Sequence, residues 1–311
     1  MPVVILCVAA GQAVGQSGAF LEVTPDARAA ALGEAGTALS PDAWSVYWNV
    51  AKAAAAVSKT EIAYSYSPWM KDLRENSRLH RVGGYYRLTD KDAVVAGFRH
   101  FANGDIGLDE DEVNPGEYAI EAGYARILSE GFSAGATVRY IRSEMCDVQG
   151  VDPGNAVGFD VGMYYAMKVE LFRHSSDLSF GLTVADIGSR IKYDNSEYAL
   201  PTRLSAGAAL NFAFSEHHRL TAAAAAAWRI TPSDSRSCSG GVGVEYGLFD
   251  IGFVRSGYHW SDMEKSSGGD YVSFGAGVKY WHLFADFSYR LATEKNDYTD
   301  RTLTLSAGFS F

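Results

Sequence analysis

Along most of the chain, apolar and polar residues alternate one by one. In the stretch TLTLSAGFSF (302–311), Leu303, Leu305, Ala307, Phe309 and Phe311 share one face, while Thr302, Thr304, Ser306, Gly308 and Ser310 share the other. A period of two marks a strand whose two faces meet different surroundings. The theme recurs in segments near 60–67, 77–88, 91–103, 116–127, 131–143, 156–168, 177–188, 202–214, 218–230, 238–248, 249–260, 271–280, 282–293 and 301–311, about fourteen strands in all. Within them Val272, Phe274, Ala276, Val278 and Tyr280 oppose Tyr271, Ser273, Gly275, Gly277 and Lys279. Likewise Leu204, Ala206, Ala208, Leu210, Phe212 and Phe214 oppose Arg203, Ser205, Gly207 and Asn211, and Leu283, Ala285, Phe287, Tyr289 and Leu291 oppose Asp286, Ser288 and Arg290. Charge on the second face excludes lipid there, so the first face is the lipid-facing candidate. Tyr280, Trp281, Trp228 and Trp260, near segment ends, suit interfacial aromatic girdles.

The breaks between segments decide the fold class. Every second one is short: TDKD, LSEG, SEHH, GLFD and YWHL, with VELFRHSSD (169–177) the longest of the set. The intervening ones are longer and more polar, such as GDIGLDEDEVNPG and SEMCDVQGVDPGN. Tight turns on one rim and long loops on the other are the habit of outer-membrane barrels; a soluble sandwich has no reason to sort loop lengths by parity. The expected fold is therefore all-β: a transmembrane antiparallel β-barrel of about 14 strands, its last strand pairing with its first so that no edge is left open in lipid. TAAAAAAWRI (221–230) would be helix on propensity alone; its place in the parity count makes it a strand.

Three regions follow. MPVVILCVAAGQAVGQ resembles a secretory signal, with Ala13-Val14-Gly15 as the small-x-small cleavage site, giving residues 1–15 as signal peptide. Residues 16–59, Ala-rich and punctuated by Gly and Pro, read as a plug in the barrel lumen or across its periplasmic mouth. Helical turns are expected near 26–32 and 41–56, the second opened by Ser40-Pro41-Asp42. Residues 60–311 form the barrel. Beyond the signal no apolar run approaches the roughly 20 residues of a spanning helix.

Composition narrows the function. The 311 residues carry a formal charge of −10, unlike the basic surface of a nucleic-acid binder, so no nucleic-acid partner is expected. Cys146 and Cys238, outside the signal, fall on distant segments, and no disulfide is expected between them. Gly131-Phe132-Ser133-Ala134-Gly135 matches the G-x-S-x-G pattern, but that chemistry needs a strand-to-helix turn and here a strand follows. The seven histidines form no zinc pattern, His217 and His218 lying in a short turn. No catalytic residue, metal or cofactor is expected. The acidic run Asp109 to Glu112 reads as a solvated outer loop, the alternative being a divalent-cation or lipopolysaccharide bridge.

Residues 25–52 carry a resemblance. Pro25-Asp26-Ala27-Arg28, Leu32-Gly33 with Ala35-Gly36, Ser40-Pro41-Asp42-Ala43 and Trp48-Asn49 followed by Ala51-Lys52 resemble the N-terminal signature of the PorV/PorQ family of type IX secretion outer-membrane barrels. That family is related in fold to the FadL fatty-acid transporters. VADIGSRIKYDNSEYALPTRLSAGAAL (184–210) resembles the family's Asp-Ile-Gly-Ser and Leu-Pro-Thr block. The chain is shorter than typical PorV members. The resemblance implies a non-enzymatic barrel in the outer membrane of a Gram-negative, Bacteroidota-type bacterium. Its implied partners are the type IX translocon barrel, secreted cargo bearing a conserved C-terminal domain, the surface attachment complex, and outer-membrane lipid or lipopolysaccharide. The alternative is a FadL-like passive channel for hydrophobic solutes. The plug motif is Pro25, Asp26, Arg28, Gly33, Gly36, Trp44, Trp48 and Asn49. Arg28 is expected to pair with lumen acids such as Asp286. Trp44, Tyr47 and Trp48 are expected to pack the plug against the wall, or to line a pocket for a hydrophobic ligand. Exposed aromatics and methionine in outer loops, Trp69, Met70, Tyr193 and Tyr198, are the candidate partner contacts.

Overall fold

The computed structural model describes residues 18–69, 77–102, 106–108, 111–113, 116–144, 152–193, 196–262, 268–294 and 297–311. The expected signal peptide, Met70, Cys146 and the start of the acidic run lie outside the described residues. Fourteen antiparallel strands form the wall: β1 (Thr60–Pro68), β2 (Arg78–Arg87), β3 (Asp92–Ala102), β4 (Gly116–Ser129), β5 (Phe132–Ser143), β6 (Gly154–Leu171), β7 (His174–Gly188), β8 (Arg203–Ala213), β9 (His218–Arg229), β10 (Ser237–Leu248), β11 (Gly252–Ser261), β12 (Tyr271–Tyr280), β13 (Leu283–Ala292) and β14 (Leu303–Ser310). Each pairs with the next. Closure is made by β1 on β14, with Ile62 opposite Phe309 and Tyr64 opposite Ala307. At the seam, Thr60 and Phe311 exchange backbone N–H···O bonds of 2.9 and 2.8 Å. The hydrogen-bonded ladder thus runs on across the seam, and a wall without an open edge is what lipid demands.

Alternation sorts the side chains as the sequence implies. Val278 is 56% exposed and Phe274 48% on the outside, while Ser273 on the opposite face is fully buried. Tyr280, Trp281, Trp228 and Trp260 are all exposed. The six-alanine run is strand β9, paired in register with the glycine-rich β10, Ala223 opposite Gly243 and Ala225 opposite Gly241. Burial and pairing outweigh helix propensity there. One turn differs from expectation. VELFRHSSD is not a loop of nine residues, because β6 and β7 run on until Leu171 faces His174. The turn is two residues, Phe172 (φ 50°) and Arg173 (φ 68°), the left-handed pair that matches the twist of a two-residue hairpin. A short outer hairpin, Ile191–Tyr193 with Ser196–Tyr198, extends the wall above β6 through Lys192 and Asn155.

Residues 18–59 fill the bore. The segment starts at the outer mouth, where Gly18 N–H donates to Glu117 Oε1 (3.3 Å) at the loop end of β4. It descends to Lys59 at the turn-side rim, beside Arg87. On the way it forms helix α1 (Ala27–Ala31), helix α2 (Ser45–Trp48) and 3-10 turns at Ala19–Leu21 and Val50–Ala55. The helical turns expected over 41–56 form as two short pieces separated at Asn49, whose backbone is extended (φ −169°, ψ 102°). No described helix is long and apolar enough to cross a membrane; the strands do so. The outward position of Val244, 50% exposed on β10, gives a test. Val244→Arg should cost about 2–4 kcal/mol of folding stability in lipid vesicles, as charge near the bilayer middle does, measured by denaturant-induced unfolding.

Candidate functional site

The plug motif assembles into one buried unit. Asp26 caps α1, accepting Ala29 N–H at Oδ2 (2.8 Å), and its Oδ1 accepts the Trp48 indole N–H (2.8 Å). One carboxylate therefore joins the two helices. The Trp48 ring lies over Gly36, where an added Cβ would fall 2.3 Å from the ring. Lys52, fully buried, donates from Nζ to the Gly36 carbonyl (2.9 Å). Asn49 Oδ1 accepts Ala51 N–H (3.2 Å) and its Nδ2 donates to the Met163 carbonyl on β6 (2.9 Å). That last bond explains the helix break: the extended residue sends its amide to the wall. Pro25 is buried just before the cap.

Arg28 carries the main attachment. Its Nε and Nη2 donate to Glu245 Oε2 (3.1 Å) and Oε1 (2.9 Å) on β10, a two-pronged pairing among the stronger hydrogen-bonded contacts. Its Nη1 donates to Ser40 Oγ (3.0 Å) and lies 3.5 Å from Asp42. The expected partner Asp286 is not in direct contact. Arg255 stands between, donating to Glu245 (2.6 Å) and Asp286 (2.6 Å). The chain of charge is Arg28, Glu245, Arg255, Asp286. Lower in the bore, Glu61 of β1 accepts Ala43 N–H (2.8 Å). The Tyr47 hydroxyl donates to the Val82 carbonyl (2.5 Å).

A second charged cluster lines β3 to β7. Arg99 donates to Glu121 (2.6 Å) and to the plug carbonyl of Leu21 (2.6 Å). Arg139 pairs with Glu121 (2.9 Å), Asp160 (2.6 Å) and Asp186. Asp186 opens the Asp-Ile-Gly-Ser block. It sits at φ 59° where the β6–β7 register shifts, and that bulge turns its carboxylate inward. Its carbonyl accepts Thr202 Oγ1 (3.0 Å) from the Leu-Pro-Thr stretch, so the two motif blocks touch. Glu245, Arg255, Arg99, Arg139, Glu121 and Asp160 were not singled out from sequence, although inward charge on alternating strands was their signal.

Trp44 is 2% exposed and stacks on Tyr47 with centroids 6.1 Å apart. Both pack against the wall with Ala43, Val46, Val50 and Val95. Of the candidate contact residues, Trp69 is buried (7%) under Arg290 and Tyr193 is buried (6%), against the expectation of exposure; Tyr198 is 39% exposed on the outer hairpin. Trp69 folds inward because Arg290 and the plug residues Val23 and Thr24 offer it a surface. Ser133 is buried and its hydroxyl donates to the Ala51 carbonyl (2.8 Å), a structural bond to the plug. Cys238 is exposed with a free thiol. Among the described residues no three His, Cys, Asp or Glu side chains gather to hold a metal ion.

The architecture defines a class before it defines a member. The fold is similar to that of the Pseudomonas putida toluene transporter TodX (TM-score 0.58, 10% identity, covering 91% of this chain and 96% of that one). It is similar to the monoaromatic hydrocarbon channel CymD (TM-score 0.60, 13% identity, 93% and 98%) and to a Pseudomonas aeruginosa FadL homologue (TM-score 0.56, 12% identity, 91% and 96%). This is an outer-membrane β-barrel of FadL-like fold, resident in a Gram-negative outer membrane. Residues 9–235 match the sequence model of the type IX secretion system protein PorV family, and the chain belongs to that family. No curated protein matches it in sequence.

Two outcomes follow for the plug. Gly33 has φ +65°, and a Cβ there would lie 2.4 Å from the Tyr258 carbonyl oxygen; one on Gly241 would lie 1.7 Å from that of Gly33. Gly241→Val should therefore dislodge the plug while the barrel still forms, read as rapid protease cleavage within residues 18–59 of a barrel that keeps its heat-modifiable gel mobility. Burial, reinforced by nearby Asp42, pushes the Asp26 carboxyl up to about 6. The docked plug then holds this proton more tightly than the free chain, so docking is firmest below pH ~4 and weakens as the pH climbs through ~6. Protease resistance of the plug should fall across that window, and Asp26→Asn should flatten the change.

Proposed function

We propose that this barrel is a non-enzymatic component of type IX secretion. It docks on the translocon barrel at the outer membrane, accepts folded cargo carrying the family's C-terminal signal domain and presents it to the surface attachment complex. The observation that carries this reading is a bore closed by an anchored plug in a member of the PorV family. A filled lumen leaves outward loops and the lipid-facing wall as the working surfaces. Tyr198, on the outer hairpin, is the aromatic we assign to partner contact, since large amphipathic rings supply much of the energy of such interfaces.

Gene deletion in the native host is the test. Cargo should accumulate in the periplasm and lose its attachment to the cell surface; undiminished surface display would sink the proposal. Tyr198→Ala should lower recovery of the translocon in pull-downs severalfold with the barrel still assembled. A second reading, a passive channel for hydrophobic solutes, draws on the fold shared with hydrocarbon channels. Uptake of a labelled aromatic hydrocarbon by proteoliposomes of the purified barrel, above that of empty liposomes, would favour it. The packing of Trp44 and Tyr47 against the wall weighs against an apolar route beside them.

A further inference from the structure

The outer mouth holds a polar cavity of about 70 Å³. Its walls are the loop ends of β8 to β13, and its floor is the plug at Glu22 to Thr24 and Glu34. That is room for on the order of five waters, or for one small polyatomic ion, and far too little for a lipid chain. The two arginine faces turned to it differ from those of Arg28, Arg99 and Arg229. Arg28, Arg99 and Arg229 each lay the Nε and Nη2 edge of the guanidinium against a carboxylate: Glu245, Glu121 and, at the cavity wall, Glu22 (2.8 and 2.6 Å).

Arg203 and Arg290 do not. Arg290 is clamped between the Trp69 and Tyr271 rings, 5.0 and 4.8 Å from their centroids. Its Nε donates to the Thr299 carbonyl (2.9 Å), and its Nη2 is shielded from solvent with no hydrogen-bond partner. Arg203 has the same deficit at Nε. Among the described residues neither reaches a carboxylate within ion-pair distance. Opposing them is Glu34, held by the Tyr271 hydroxyl (2.7 Å) and 3.9 Å from His259. With Arg229 matched by Glu22, the three arginines and two glutamates leave one positive charge in excess. A charged N–H group buried without an acceptor is costly. Both arginines line a polar cavity that can admit an acceptor, while the unpartnered nitrogens are themselves shielded from it.

We propose that the outer vestibule binds a small oxyanion, a carboxylate or phosphate group, with Arg290 and Arg203 as its ligating cations. The ring clamp holds the Arg290 guanidinium in place, so little side-chain freedom is left to lose when a ligand binds. The site does not depend on the secretion role. It would serve equally for a free ion or for an acidic group carried on something that docks at this mouth.

The full-length barrel, purified in zwitterionic detergent, is titrated calorimetrically with sodium acetate and with inorganic phosphate, each against sodium chloride at matched ionic strength. One of the two should give a saturable one-site isotherm, and the tighter one names the class of group. Arg290→Gln and Arg203→Gln should each weaken binding about tenfold, the loss of roughly one charge-assisted hydrogen bond. Glu34→Gln, by removing the opposing charge, should tighten it severalfold, a gain that misfolding cannot imitate. Heat-modifiable gel mobility checks that the variants are folded. The proposal is overturned if neither anion binds beyond chloride, if folded Arg290→Gln binds as the unaltered protein does, or if Glu34→Gln leaves the affinity unchanged.

Discussion

A sheet closed on itself in lipid must turn its polar side chains inward, and those side chains must then find partners in a space that water only partly reaches. Arg28 meeting Glu245 with two hydrogen bonds is the answer on one side of this bore. A charge buried without a partner costs far more than a matched pair, so the wall and the plug depend on each other. Removing either would strand the other's ionised groups. Glu245 binds Arg255 as well, and Arg255 binds Asp286, so one plug residue is tied into a network spanning β10, β11 and β13. The cluster of Arg99, Arg139, Glu121, Asp160 and Asp186 does the same on the opposite wall, where Arg99 also holds the Leu21 carbonyl.

Small residues let that pairing happen at contact distance. Gly241, Gly243 and Gly257 lie where any Cβ would collide with Leu32 or Gly33, and the alanines of β9 continue the same shallow surface. The six-alanine run is a place where a wall has been thinned to admit a filler. Asp26 shows the same economy inside the plug. A single carboxylate caps α1 and anchors the Trp48 indole, which requires burying an acid and accounts for its raised affinity for a proton.

Much of the wall was legible in the sequence because lipid imposes a period that nothing else obscures. Strands β12 and β13 were placed with their faces correct, and the parity of the breaks separated turns from loops. The turn at Phe172 and Arg173 was missed because two bulky residues in left-handed conformation carry none of the Gly or Asn that normally marks such a turn. Where the turns of 41–56 divide, at Asn49, is set by the Met163 carbonyl on a strand 114 residues away, which local pattern does not show. Trp69 and Tyr193 looked like loop aromatics by position, yet partners across the mouth bury them. Arg28 meets a lumen acid as expected, but Glu245 and not Asp286: alternation says which acids face inward, and only the stagger between strands says which of them lies at its height.

Residues 18–59 of the plug run as one continuous length of chain from one lip of the cylinder to the other, Gly18 near the loops and Lys59 near the turns. The floor of the outer vestibule and the threshold of the periplasmic entrance are therefore two stretches of a single peptide. Cell exterior and periplasm are separated here by a spar fixed at both ends and braced along its length, and whatever presses on one end of it bears, through covalent bonds, on the other.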